Sequence, residues 1–246
     1  MSAEGVRPPW QEFKQALAAE GFRPSRRLGQ NFLLDGNMAR AIATDAALEP
    51  GAFVLEVGPG CGFRSVPLAA GGARLWAVEV DERLVRVARR FLADYPSAEV
   101  LHADILAGKH ALAPAVESHL PEAGDWHLVS NLPYSVSAPV LALLAARANP
   151  PRSMTVLVQR EVAERIVAEP GSHAYGPLTV ALQVAYEARI LRVLGPELFW
   201  PKPKVDSAVV RLELRAELMP HEERDRVRRF AARLLRARRK TLRRVL

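Results

Sequence analysis

The run Phe53-Val54-Leu55-Glu56-Val57, followed at once by Gly58-Pro59-Gly60-Cys61-Gly62, limits the fold more than any other stretch of the chain. An apolar run this short, entering a glycine-rich turn, reads as a strand buried on both faces in a parallel sheet covered by helices. Glycines at alternate positions then let a ligand approach the backbone with no Cβ in the way. A dinucleotide fingerprint requires a small residue at position 63, where this chain has Phe63. A pyrophosphate-bearing cofactor is therefore disfavoured.

Three further strands follow in the same rhythm. Arg74 to Val80 ends in Glu79-Val80-Asp81, about twenty residues past the glycines, where an acidic group accepts from ribose hydroxyls. Glu79 also reads as a surface carboxylate or as part of the cap of a helix from Glu82 to Leu92. Ala98 to His102 leads to Asp104, which suits either an adenine amino group or a helix cap. Trp126 to Ser130 leads to Asn131-Leu132-Pro133-Tyr134. In an open α/β sheet ligands bind outside the carboxyl ends of the strands, and Asn131 stands at one. An amide carbonyl beside a proline and a tyrosine ring offers acceptors and a flat face, which an exocyclic amine on a planar base needs. A strand-to-helix turn with a capping Asn and a packing Tyr is the plainer alternative. Glycine turn, Glu79 and Asp104 together fit a nucleoside-bearing ligand without a diphosphate, for which S-adenosylmethionine is the candidate.

Elsewhere, spacing predicts helices over Trp10–Glu20, Gly36–Ala47 with Asp35 as its cap, 109–120, Ser135–Ala146, Glu161–Ala168 and Pro177–Tyr186. The stretch from Phe22 to Asp35 reads as an ordered loop. Met154–Gln159 is a strand, and Ile190–Val193 and Val205–Leu214 can pair as antiparallel strands across a long connection. That connection, Gly195 to Lys204, carries three prolines and the adjacent Phe199 and Trp200, which are either packing or a second stacking wall. The six histidines and Cys61 show no metal-ligand spacing, so no metal is expected, and Cys61 reads as a small turn residue.

With 246 residues the chain has length for one large domain and a small appendage. Its net charge of +7 is concentrated: eleven of the 34 basic residues fall between His221 and Leu246, against three acidic ones. That arginine-rich tail forms an amphipathic helix and favours a polyanionic partner. Residues 1–215 are expected to form the main domain with its basic N-terminal loop, and 216–246 a basic helical segment. No run reaches membrane-spanning length, the opening residues do not resemble a signal peptide, and the single cysteine excludes an intrachain disulfide; a cytoplasmic monomer without membrane contact is expected.

Taken together, Leu28-Gly29-Gln30-Asn31-Phe32-Leu33, Glu56-Val57-Gly58-Pro59-Gly60, Asn131-Leu132-Pro133-Tyr134, Gln159-Arg160-Glu161, Pro203-Lys204-Val205-Asp206-Ser207-Ala208-Val209 and Arg238-Arg239-Lys240-Thr241-Leu242-Arg243 resemble, in order, the motifs of the small-subunit ribosomal RNA adenine N6,N6-dimethyltransferase family. The resemblance covers nearly all of the chain from Arg27 onward. It implies a class I S-adenosylmethionine-dependent methyltransferase fold, a Rossmann-like α/β sheet with helices on both faces plus a short C-terminal helical extension. It also implies dimethylation at N6 of two adjacent adenines near the 3′ end of small-subunit rRNA, on the immature small ribosomal subunit, in ribosome biogenesis.

By the same resemblance Asn31, Leu33, Gly58 and Gly60 contact the cofactor, Glu79 takes its ribose and Asp104 its adenine. Asn131, Leu132 and Pro133 face the methyl-transfer centre, and Tyr134 and Phe199 sandwich the target base. Arg26, Arg27, Lys202, Lys204, Arg238, Arg239, Lys240 and Arg243 hold RNA. Two departures stand out. Family members carry Leu-Thr where this chain has Arg64-Ser65, and a bulky cation there counts against affinity for a cofactor that is cationic at sulfur. Members also continue into a small helical subdomain beyond the point where this chain stops at Leu246, so weaker RNA docking is expected. The alternatives are a large-subunit rRNA target, or a catalytically impaired RNA- or DNA-binding assembly or transcription factor on the same fold.

Overall fold

The computed structural model describes residues 9–25, 28–108, 111–237 and 240. Its strands are β1 (Phe32–Leu33), β2 (Phe53–Val57), β3 (Arg74–Glu79), β4 (Ala98–His102), β5 (Trp126–Asn131), β6 (Ser153–Gln159), β7 (Tyr186–Leu194), β8 (Phe199–Trp200) and β9 (Ser207–Leu214). The helices are α1 (Trp10–Ala19), α2 (Gly36–Asp45), α3 (Ser65–Ala70), α4 (Glu82–Leu92), α5 (Pro114–Glu117), α6 (Ser137–Ala145), α7 (Arg160–Ile166), α8 (Pro177–Gln183) and α9 (His221–Arg236).

Seven strands form one sheet in the order β4-β3-β2-β5-β6-β9-β7. The first five run parallel, β9 returns antiparallel to β6, and β7 antiparallel to β9. Side chains alternate across the sheet: Val54 joins one apolar cluster, with α1 and α4, while Leu55 and Val57 join the other, with α6. Burial on both faces is what holds these strands parallel, because each connection must cross back over the sheet. Strand order reverses between β2 and β5, so their carboxyl ends flank the crevice where α/β sheets take ligands.

The expected strands and the antiparallel pairing of β7 with β9 are present. Three local expectations give way. Of the segment 109–120, the described residues 111–120 are helical only at α5, because Pro114 is accepted as the first residue of a helix and not in its interior. Tyr186, expected to end a helix, begins β7, where its hydroxyl donates to Pro151 O at 2.7 Å. The loop through Asn31 and the connection through Phe199 contain β1 and β8, a two-stranded antiparallel sheet with Phe32 opposite Trp200 and Leu33 opposite Phe199.

Asp35 caps α2 as expected, accepting from Asn37 N and Met38 N. At the other end of the chain α9 packs on α8. Arg224, one of the eleven tail cations, turns inward: it is buried and donates to the carbonyls of Ala145, Arg147 and Met219, anchoring α9 at the end of α6. Among the described residues, no helix is long and apolar enough to cross a membrane.

Candidate active site

The turn after β2 fits beneath two walls. Gly58 and Gly60 hold φ of 66° and 61°. A Cβ on Gly60 would lie 2.7 Å from the Phe32 ring, and one on Gly58 would lie 3.0 Å from Pro133 Cγ. Only glycine meets both demands, a left-handed backbone and a close neighbour. Phe63, the residue that breaks the dinucleotide fingerprint, is buried edge-on against Trp10 and Phe13 and fastens α1 to the turn.

Glu79 braces this turn from the next strand. Its Oε2 accepts from Gly60 N at 3.1 Å, and its Oε1 from Val80 N and Asp81 N at 2.9 and 3.0 Å. Three backbone donors on a carboxylate with about four acceptor positions leave room for one more partner. The group is buried, not a surface carboxylate, and burial raises its pKa although the backbone bonds oppose the shift. Asp81 supplies the cap of α4 that Glu79 had been given as an alternative.

Asn131 closes the opposite side. Its Nδ2 donates to Asn31 O at 3.0 Å, so the amide's two ends are sorted: the donor faces the N-terminal loop and the oxygen remains to accept. The strand end beneath it is pinned twice, by Ser130 Oγ to Val57 O at 2.5 Å and by Leu132 N to Leu157 O at 3.1 Å. Tyr134 is held by a 2.6 Å bond between its hydroxyl and Ser207 Oγ, and burial raises its pKa, so it remains a neutral phenol.

The expected residues Asn31, Leu33, Gly58, Gly60, Glu79, Asn131, Leu132, Pro133 and Tyr134 line one hollow. Asp104 lines a second, which shares Gly58, Glu79, Val80 and Pro133 with the first. Asp104 is exposed and its Oδ1 accepts from Leu106 N at 2.9 Å, so it shapes its own turn as well as the hollow. Val80 and Ile105, which the sequence reading passed over, wall this second hollow with apolar surface. The available signal was Val80's place between two acids at a strand end.

Phe199 departs from expectation. It is 3% exposed, lies in the core opposite Leu33, and does not line the cleft with Tyr134. Neighbouring residues in extended backbone point to opposite faces, so one of the two aromatics turns inward and the other outward. The outward one is Trp200, half-buried, which lines a cleft with Tyr134, Gln159, Lys202 and Lys204. Both lysines are exposed at its rim. Lys240 is exposed beyond α9; Arg26, Arg27, Arg238, Arg239 and Arg243 lie outside the described residues.

Arg64, expected to confront the cofactor with an unmatched charge, is paired. Its Nη2 donates to Glu56 Oε1 at 2.6 Å, and Ser65 Oγ bonds Glu56 Oε2 at 2.6 Å. Acceptors at Glu79, Asp104 and Asn131 suit the hydroxyl and amino donors of a nucleoside. No cluster of three or more His, Cys, Asp or Glu suited to a metal occurs among the described residues.

A family model described as "Ribosomal RNA adenine dimethylase" matches residues 21–246. Two relatives carry the name "Ribosomal RNA small subunit methyltransferase A". The one from Phenylobacterium zucineum (strain HLK1) is 40% identical over 230 residues, 94% of this chain and 78% of the relative. The one from Geobacillus thermodenitrificans (strain NG80-2) is 37% identical over 203 residues, 82% of this chain and 69% of the relative. The crystal structure of a dimethyladenosine transferase from Plasmodium falciparum shares the fold, with a TM-score of 0.70 at 23% identity, covering 86% of this chain and 73% of that one.

Proposed function

The chain belongs to the ribosomal RNA adenine dimethylase family, and from that premise we propose that it dimethylates N6 of two adjacent adenines near the 3′ end of small-subunit rRNA, using S-adenosylmethionine. It acts as a monomer on the immature small subunit, in the cytoplasm, during ribosome biogenesis. The observation that carries this reading is the Asn131–Asn31 bond, which leaves the carboxamide oxygen as an acceptor in the hollow that Gly58, Glu79 and Tyr134 also line.

Bound S-adenosylmethionine supplies a methyl group activated by the sulfonium. Glu79 would accept from its ribose and Asp104 from its adenine, Val80 and Ile105 would offer the ring apolar surface, and Asn31, Leu33, Gly58 and Gly60 would hold the remainder. The target adenine's amino group is a weak nucleophile because its lone pair is delocalised into the ring. Accepting both N6–H protons, at Asn131 Oδ1 and the Leu132 carbonyl, draws that nitrogen out of the plane and points the pair across the hollow. The same two oxygens stabilise the positive charge that builds on nitrogen, so orientation and electrostatics replace a strong base. The S–CH3 bond would break as the N–CH3 bond forms, leaving S-adenosylhomocysteine, and the proton goes to solvent; the monomethylated amine keeps one N6–H, which one of these two oxygens holds for the second transfer.

A base must be unstacked to reach this wall, at about a few kcal/mol. Stacking on Tyr134, with Trp200 across the cleft, offsets that cost. Lys202 and Lys204 meet the flanking phosphates, and Arg26, Arg27, Arg238, Arg239, Lys240 and Arg243 are assigned to RNA by the family resemblance. The test is methyl transfer from labelled S-adenosylmethionine to immature small and large subunits, with the product identified by mass spectrometry. The expected result is dimethyladenosine at adjacent positions in small-subunit rRNA. Label confined to large-subunit rRNA, or no label in either, overturns the assignment.

A further inference from the structure

Arg64 is a buried cation at the glycine turn for which the mechanism above has no task. It stands directly before α3 and is 5% exposed. Its partner Glu56 is fully buried and does not line the hollow, whereas Arg64 does. Of this buried pair only Arg64 borders the hollow, so a ligand at this end meets the arginine and not the carboxylate. Arg64 Nε is buried with no hydrogen-bond partner among the described residues. An unmet buried donor destabilises the empty site, and an acceptor brought by a ligand removes that cost.

The order of residues along the cleft says which part of a ligand arrives there. Asp104 lines one hollow, Glu79 lines both, and Arg64 lines only the other. A nucleoside with its base at Asp104 and its ribose at Glu79 has one direction left for whatever its 5′ carbon carries, past Gly60 toward Arg64. We propose that Arg64 receives the carboxylate of the amino-acid tail of S-adenosylmethionine. A planar fork of N–H donors suits a carboxylate. Glu56, itself held by the Ser65 hydroxyl, fixes that fork, and its charge offsets the guanidinium so that the sulfonium is not repelled. This inference rests on the cofactor reading of the preceding subsection.

A purely structural Arg64, latching α3 to β2, would bind every ligand of the hollow alike, and the two roles separate by calorimetry. The full chain is titrated with S-adenosylhomocysteine and with its decarboxylated analogue, 5′-deoxy-5′-(3-aminopropylthio)adenosine, which lacks only the carboxylate. Wild type should prefer S-adenosylhomocysteine by about tenfold or more, equivalent to about 1.4 kcal/mol. In the double variant Glu56→Gln/Arg64→Leu, which leaves no buried charge unpaired, the preference should fall below about twofold. Arg64→Lys keeps Glu56 paired but loses the fork, and should cut the preference at least about threefold should the double variant fail to fold. Equal binding of the two compounds by wild type, or a preference that survives substitution, overturns the proposal. If wild type binds neither compound, the cofactor reading itself falls.

Discussion

Around the nucleoside hollow the polar contacts close over short stretches of chain, whereas around the target-base wall they join distant ones. Glu79 bonds Gly60, Val80 and Asp81, and Asp104 bonds Leu106, all within successive strand ends. On the other side Tyr134 is tied to Ser207, 73 residues away, Asn131 to Asn31, 100 residues away, and β1 pairs with β8. On the proposed reading, the cofactor side is thus held by the parallel strand ends, and the target wall by two segments that must find each other. Loops held this way can change their target without disturbing the scaffold.

If that division is right, perturbing the wall costs folding and RNA recognition while cofactor binding persists. The largest effect is expected from Phe199→Ala, which empties a core site at the β1–β8 junction and should cost about 3–5 kcal/mol in urea unfolding. Unchanged stability with lost activity would instead return Phe199 to the base-stacking role. Next, Tyr134→Ala should weaken RNA recognition by about 1–3 kcal/mol, read as a raised KM for immature subunits, with S-adenosylhomocysteine affinity preserved. Tyr134→Phe keeps the stack and should lose only the bond to Ser207, about 1 kcal/mol of stability.

The smallest effect lies on the cofactor side. Burial holds the Glu79 carboxyl above its ordinary value of 4.5. Ribose hydroxyls need the ionised form, so S-adenosylhomocysteine affinity should fall as pH is lowered through that raised value, and Glu79→Gln should flatten the dependence. For folding the sign is opposite: stability from a carboxyl with a raised folded-state pKa is fully present below the unfolded value and is lost as pH rises through the folded one. An unaltered pH profile in Glu79→Gln would break the division drawn here.

The same division explains what could be read from sequence. Strands β2 to β6, the glycine turn and the acids at positions 79 and 104 follow from short-range pattern: an apolar run, a turn, an acid about twenty residues on. Two-residue strands such as β1 and β8 have no periodicity to read, and their pairing depends on chain separated by some 160 residues of intervening fold. Phe199 and Trp200 show the limit. Adjacent aromatics in extended chain face opposite ways, and only the register against Phe32 and Leu33 decides which one turns to the cleft. Arg64 shows another, because its partner Glu56 sits eight residues earlier on a strand whose alternate positions all look like core.

The central claim, that a neutral carboxamide orients the amine and does no more than line the cofactor space, is tested by Asn131→Ala. S-adenosylhomocysteine affinity and single-turnover methyl transfer to immature small subunits are measured on the same preparation. The account predicts affinity within about threefold of wild type and a transfer rate lower by about 10²–10³. Transfer at near wild-type rate, or a loss of rate fully matched by a loss of cofactor affinity, would contradict it.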